Sequence, residues 1–205
     1  MSRFTYELEN RAEKLETYEW DNTWIEHANR DDIDRVLYIG DSISCGTRGE
    51  ATRLSGGKYY FDGLGTSKAI DNPYFFETIS LFAHQQRSRK LVLFNNGLHG
   101  GHLDGEAYFL YYEKMVQFLI KEFPDTKIAL LLSTFINRPE ETLNSVKVRN
   151  EKVLALAEKY QLPVIDLFKV AEENKDKLSQ DGVHFTKEGY EKLAKEILKR
   201  IDEIV

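Results

Sequence analysis

The chain has 205 residues, and 28 Lys and Arg against 34 Asp and Glu give it a formal net charge of −6 at pH 7. At roughly 150 residues per domain, this length predicts one domain, or one domain with an extension. The acidic excess argues against nucleic acid as the main partner. The longest aliphatic run, residues 128–132, is far shorter than the roughly 20 residues of a membrane span. A single cysteine, Cys45, excludes an intramolecular disulfide and fits a reducing compartment, so we expect a cytoplasmic globular protein.

The net charge is concentrated at the start of the chain. Residues 1–34 hold ten acidic and four basic side chains, whereas residues 35–205 hold 24 of each. We therefore predict an acidic leader, residues 1–34, and a main domain, residues 35–205. Apolar residues recur in the leader at spacings of three and four, which predicts a helix packed on the main domain; they are Phe4, Leu8, Ala12, Leu15 and Tyr18. A homodimer formed through the leader is the alternative.

From residue 35 onward, short apolar runs alternate with amphipathic helical patterns. The runs cover residues 35–39, 59–61, 91–94, 127–132 and 163–165, and the clearest helical patterns cover 108–119, 146–157 and 190–201. Apolar strands that lack polar alternation and are separated by helices predict a parallel sheet of about five strands, covered on both faces. Functional residues of such sheets lie just after the carboxyl ends of the strands.

Two segments carry candidate catalytic residues. Ser42, in Gly40-Asp41-Ser42, stands where the first predicted strand turns into a helix, so backbone N–H groups at the helix start can stabilise an oxyanion. Near the other end, Asp181 stands three residues before His184 and can orient its ring. A free histidine has a pKa of about 6.5 and can accept the proton of a serine hydroxyl.

Other folds explain these segments less well. The α/β-hydrolase elbow Gly-x-Ser-x-Gly fails because Ser44 stands in the place of its second glycine. A flavodoxin-like nucleotide binder requires a phosphate-cradling glycine-rich loop after the first strand, where this chain has Asp41.

With Gly-Asp-Ser near its start and Asp-x-x-His near its end, the chain resembles the SGNH (GDSL-type) hydrolase superfamily from residue 35 to about residue 203. The resemblance implies a flavodoxin-like three-layer α/β/α sandwich, to which the leader adds its helical extension. It also implies a serine esterase that needs no cofactor. Ser42 would be the nucleophile, His184 the general base and then acid, and Asp181 the carboxylate that orients it.

The resemblance further implies an oxyanion hole of three donors. These are the Ser42 N–H, a glycine N–H after the second strand and an asparagine side chain after the third. Gly65 best fits the glycine, with Gly63 as the alternative. The chain has Asn95-Asn96-Gly97-Leu98-His99 where the family has Gly-x-Asn-Asp, so Asn96 is predicted as the donor and Asn95 is the alternative. This segment resembles the Asn-x-Gly-x-His of SGNH-like acyl-esterases that act on carbohydrate polymers.

Two further residues are predicted to contact substrate. Arg48 suits an anionic or sugar-bearing substrate, with a solvated surface position as the alternative. His99 is predicted in the pocket wall. A metal site formed by His99, His102 and Asp104 is disfavoured because Gly-Gly between the histidines places neither on a helix face. We predict a small-molecule or carbohydrate ester as substrate, with a short acyl group; acyl transfer at the same site and a non-catalytic binding module are the alternatives.

Overall fold

The computed structural model describes residues 14–86 and 88–205. The strands are β1 (Asp21–Trp24), β2 (Asp34–Gly40), β3 (Tyr59–Thr66), β4 (Leu91–Phe94), β5 (Lys127–Leu131) and β6 (Val164–Ile165). The helices are α1 (Ser42–Leu54), α2 (Phe75–Ala83), α3 (Gly105–Glu122), α4 (Glu140–Tyr160), α5 (Leu167–Glu173) and α6 (Lys187–Ile204).

The six strands form one sheet in the order β1-β3-β2-β4-β5-β6. All neighbouring strands run parallel except β1, which pairs antiparallel with β3. Helices α2, α3 and α4 bury their apolar sides on one face, and α1, α5 and α6 do so on the other. The predicted three-layer α/β/α fold is therefore confirmed, with six strands where about five were expected. Within the described residues, no helix is both long enough and apolar enough to cross a membrane.

The described part of the leader is not helical where the sequence pattern predicts a helix. Residues 14–20 contain no helix, and the side chains of Leu15 and Tyr18 are largely exposed. The other residues of that pattern, Phe4, Leu8 and Ala12, lie outside the described residues. Strand β1 follows and adds to the edge of β3, because an edge strand offers unpaired backbone groups that an extended segment satisfies.

A buried ion pair of the main domain anchors the leader. Arg35, the first residue after the predicted boundary, lies 2.9 Å from Asp62, and both side chains are almost completely buried. The same guanidinium donates hydrogen bonds to the backbone carbonyls of Glu26, His27 and Arg30. A buried charge is tolerated only when its partners satisfy it. Residues 26–30 of the leader are therefore tied through their backbone carbonyls to a buried side chain of the main domain.

Candidate active site

Ser42 lies at the turn between β2 and α1. Asp41 precedes it and caps the helix, because its side chain accepts a hydrogen bond from the Ile43 N–H at 2.9 Å. Ser42 is the first residue of α1 and is half-buried. The N–H groups of a first helical turn have no acceptor within the helix, and they carry its partial positive charge. The Ser42 N–H is therefore placed to bind an anionic oxygen.

The Asp181–His184 loop depends on a glycine. Gly182 has a φ of +69°, in the left-handed region, and a Cβ at this position would collide with the Asn137 carbonyl oxygen. The turn directs the N–H groups of Val183 and His184 back to Asp181 Oδ1, at 2.9 and 3.0 Å. The loop thus fixes one carboxylate oxygen and leaves Oδ2 to face the imidazole.

The structure brings Ser42, His184 and Asp181 together. Ser42 Oγ lies 2.8 Å from His184 Nε2, although the residues are 142 positions apart. His184 Nδ1 lies 2.6 Å from Asp181 Oδ2. The hydrogen bond from His184, helped by those from Val183 and Ser179, holds the pKa of Asp181 well below its usual range. With Nδ1–H donated to an ionised carboxylate, Nε2 is the nitrogen that accepts the serine proton.

The sequence predicts that Gly65 follows a strand, but the structure places it within one. It lies inside β3, which continues to Thr66, and pairs with Asn22 on one side and Gly40 on the other. A Cβ on Gly65 would collide with Cys45 Sγ. Its missing side chain therefore lets the first turn of α1 approach the sheet. The alternative, Gly63, lies in the same strand.

The two asparagines after β4 make different hydrogen bonds. The Asn95 amide donates to the Leu131 carbonyl at 2.8 Å and to Ser133 Oγ at 3.1 Å, which uses both of its N–H groups. The Asn96 amide donates one hydrogen bond, to the Lys68 carbonyl at 2.8 Å. Asn96 is completely buried. Because Ile39 is paired with Phe94, Asn96 lies at the same level of the sheet as Asp41.

Arg48 and His99 occupy different surroundings. The Arg48 side chain is buried and donates a hydrogen bond to Asn22 Oδ1 in β1. The structure thus places this predicted substrate ligand between α1 and the leader strand. His99 is partly exposed in the loop after β4, and its ring centroid lies 6.4 Å from that of Trp20.

Burial raises the pKa of Asp41, and the nearby His99 partly offsets that effect.

The histidines considered as metal ligands face separate carboxylates. His102 Nε2 lies 2.8 Å from Asp71 Oδ2, and His99 Nδ1 lies 3.7 Å from Glu16 Oε1. Among residues 14–86 and 88–205, no three His, Cys, Asp or Glu side chains come close enough to hold a metal ion.

Sequence reasoning missed two features of this site. Ser179 Oγ donates to Asp181 Oδ1 at 2.7 Å. A hydroxyl two residues before an aspartate in a turn is a recognisable local signal. The second feature is a set of contacts from residues 14–20 to the loops after β3 and β4. Many of them use backbone groups, so no motif marks them.

Comparison with protein families gives a match to the GDSL-like lipase/acylhydrolase family over residues 113–197. The matched segment includes Asp181 and His184 and lies entirely after Ser42. This match confirms the resemblance predicted from the sequence. No curated protein matches the chain.

Several solved structures have a similar fold. A GDSL-like lipase from Bacteroides thetaiotaomicron is 20% identical, with a TM-score of 0.66 over 84% of this chain and 89% of its own. An acetyl xylan esterase is 19% identical, with a TM-score of 0.63 over 82% and 99%. The catalytic domain of a Streptococcus pneumoniae peptidoglycan O-acetyltransferase is 19% identical, with a TM-score of 0.66 over 84% and 94%. At these identities the structures support the fold.

Proposed function

We propose that this chain, which matches the GDSL-like lipase/acylhydrolase family over residues 113–197, is a serine esterase that works through an acyl-enzyme on Ser42. One observation carries the proposal: Ser42 Oγ, the His184 ring and the Asp181 carboxylate form a continuous chain of hydrogen bonds at 2.8 and 2.6 Å. A serine hydroxyl is a weak nucleophile until an adjacent base removes its proton. This arrangement supplies both the base and the carboxylate that orients it.

The first half-reaction acylates the serine. Ser42 Oγ attacks the ester carbonyl carbon while its proton passes to His184 Nε2. The imidazolium that forms is stabilised by the ionised Asp181. When the tetrahedral intermediate collapses, the bond to the alcohol oxygen breaks, and His184 donates its proton to the leaving alcohol.

The developing oxyanion needs hydrogen-bond donors on the other side of Ser42. We assign the Ser42 N–H and the second N–H of the Asn96 amide to this role. Asn95 is a poorer candidate because both of its amide hydrogens are used in bonds to the loop after β5 and to Leu131. Asn96 is covered in the structure.

The second half-reaction returns the enzyme to its starting state. His184 removes a proton from water, the hydroxide attacks the acyl carbon, and the acid leaves as Ser42 regains its proton. The side chains of His184 and Asp181 are 42% and 46% exposed, which gives water direct access to the base.

We propose an acetyl or other short acyl ester, carried on a carbohydrate, as substrate. Support comes from the similar folds of the acetyl xylan esterase and the peptidoglycan O-acetyltransferase. The second of these makes acyl transfer the competing function. Product analysis with a sugar acceptor present separates the two: hydrolysis releases free acetate in proportion to ester consumed, and transfer yields acetylated acceptor.

The proposal is tested with 4-nitrophenyl acetate and a panel of acetylated sugars. Ser42→Ala should abolish hydrolysis and leave the far-ultraviolet circular dichroism unchanged. Ser44→Ala is the matched control, since Ser44 lies in the same helical turn and its hydroxyl donates to the Asp41 carbonyl. Full activity of Ser42→Ala would end the assignment. An inert wild-type protein would favour a non-catalytic binding module.

A further inference from the structure

Residues 14–20, which we call the strap, lie at the end of the sheet where the parallel strands finish and where Ser42 follows β2. Because β1 is antiparallel to β3, with Asp21 opposite Thr66, the residues before Asp21 lie at the edge where β3 ends. Parallel strands β2 and β4 end at the same edge. The strap therefore lies at the same end of the sheet as Ser42, although it belongs to the leader.

On one side, the strap is bound to the loop after β3. The Trp20 N–H donates to Ser67 Oγ at 2.8 Å, and the Ser67 N–H donates to the Trp20 carbonyl at 3.1 Å. Asp21 adds an ion pair with Lys68 at 2.7 Å. The Lys68 carbonyl in turn accepts the hydrogen bond from the Asn96 amide. The strap thus binds Ser67, which is the chain neighbour of the residue that binds Asn96.

On the other side, the strap is bound to the loop after β4. Glu16 Oε1 accepts a hydrogen bond from the Gly100 N–H at 2.7 Å. The Trp20 ring packs edge-on against His99. Arg149 holds the same loop from below, through hydrogen bonds to the carbonyls of His99 and Gly100. The loop after β4, which contains Asn96, is therefore held by both Arg149 and the strap.

We propose that the strap is a positioning element of the active site, which holds the loops after β3 and β4 together and so fixes the Asn96 amide beside Ser42. This inference rests on the proposed esterase function. Strands β3 and β4 are the two neighbours of β2, so a segment bound to both loops braces the edge on either side of the nucleophile. Glu16 is the side chain that makes the bond to Gly100, and it touches no reacting atom.

The experiment compares Glu16→Ala with Glu16→Gln. Alanine removes the acceptor for the Gly100 N–H, whereas glutamine keeps a carbonyl oxygen there and removes only the charge. We expect Glu16→Ala to lower kcat for 4-nitrophenyl acetate about tenfold, less than the roughly 10²-fold that a 1 Å misplacement costs. Its KM should change less than twofold. Glu16→Gln should retain most of the activity.

A second readout reports on the oxyanion side directly. An alkyl boronic acid forms a tetrahedral adduct with the serine, so its affinity should fall in Glu16→Ala by the same factor as kcat/KM. An unchanged or higher kcat in Glu16→Ala would overturn the proposal, as would equal losses in both variants. Wild-type and Ser42→Ala proteins run alongside separate this failure from failure of the esterase assignment, which would leave the wild type inactive.

Discussion

The two sides of Ser42 are built differently. On the C-terminal side, Asp181 and His184 are nearly half exposed and are held by hydrogen bonds between residues two or three positions apart. On the leader side, Asn96 is completely buried, and hydrogen bonds there join residues 28 to 84 positions apart. The proton-transferring side is therefore open and local, and the proposed oxyanion side is closed and assembled from distant segments.

Substitutions on the two sides should therefore differ in their effects on activity and on stability. A substitution on the open side removes a chemical group and leaves the fold nearly intact, because few buried contacts depend on it. A substitution on the closed side also disturbs packing, so its effects on activity and on stability must be measured separately.

The largest expected effect is on the open side. Asp181→Asn should lower kcat by about 10³–10⁴-fold, because the imidazolium loses the carboxylate that stabilises it and the ring loses its orientation. The fold should be unchanged in thermal unfolding. A loss below tenfold would show that Asp181 does not act through His184.

The same variant has a pH signature. The pKa of Asp181 lies well below its usual range, so this carboxylate stays ionised as the pH falls through the acid limb of kcat/KM. No ionisation in the ordinary carboxyl range should therefore disappear from the kcat/KM profile when Asp181 is replaced by Asn. An ionisation in that range that is present in the wild type and absent in Asp181→Asn would contradict the arrangement.

The next effect is on stability, at the contact between the leader and the main domain. Asp62→Ala leaves Arg35 buried without its partner, which should cost about 3–5 kcal/mol of unfolding free energy. Urea denaturation measures it. Asp202→Ala is the matched control, because the Lys58–Asp202 pair is exposed, and it should change stability little. Equal losses in the two variants would show that the leader network is not part of the core.

Asn96 and Asn95, both on the closed side, should respond differently to replacement by alanine. Asn96→Ala should lower kcat by about 10²–10³-fold, as expected for loss of an oxyanion donor. Asn95→Ala should mainly lower stability, because it removes bonds to Leu131 and Ser133. Kinetics and urea titrations on both variants test the division. The reverse pattern would assign the donor to Asn95.

The smallest effect concerns Ser179 on the open side. Ser179→Ala removes one of the hydrogen bonds to Asp181 Oδ1 and should lower kcat/KM about threefold to tenfold, the worth of one hydrogen bond. Ser179→Thr keeps the hydroxyl and should restore most of the rate. A threonine variant as weak as the alanine variant would show that the hydroxyl is not responsible.

The sequence predicted what depends on local pattern. The apolar runs marked β2 to β6, and Asp-x-x-His marked a contact between residues three positions apart. Strand β1 was missed because its sequence has no alternation of apolar and polar residues. It is stabilised by backbone pairing with the edge of β3. Gly65 was misplaced because β3 extends five residues beyond the apolar run that predicted it. The strap was missed because backbone groups and one carboxylate make its contacts.

Covalent labelling of Ser42 tests the central claim most directly. A fluorophosphonate should modify the wild-type protein once, and mass spectrometry of its peptides should locate the adduct on Ser42. Ser42→Ala should remain unmodified, and His184→Ala should react far more slowly because the base is missing. An adduct on another residue, or equal labelling of Ser42→Ala, would contradict the account.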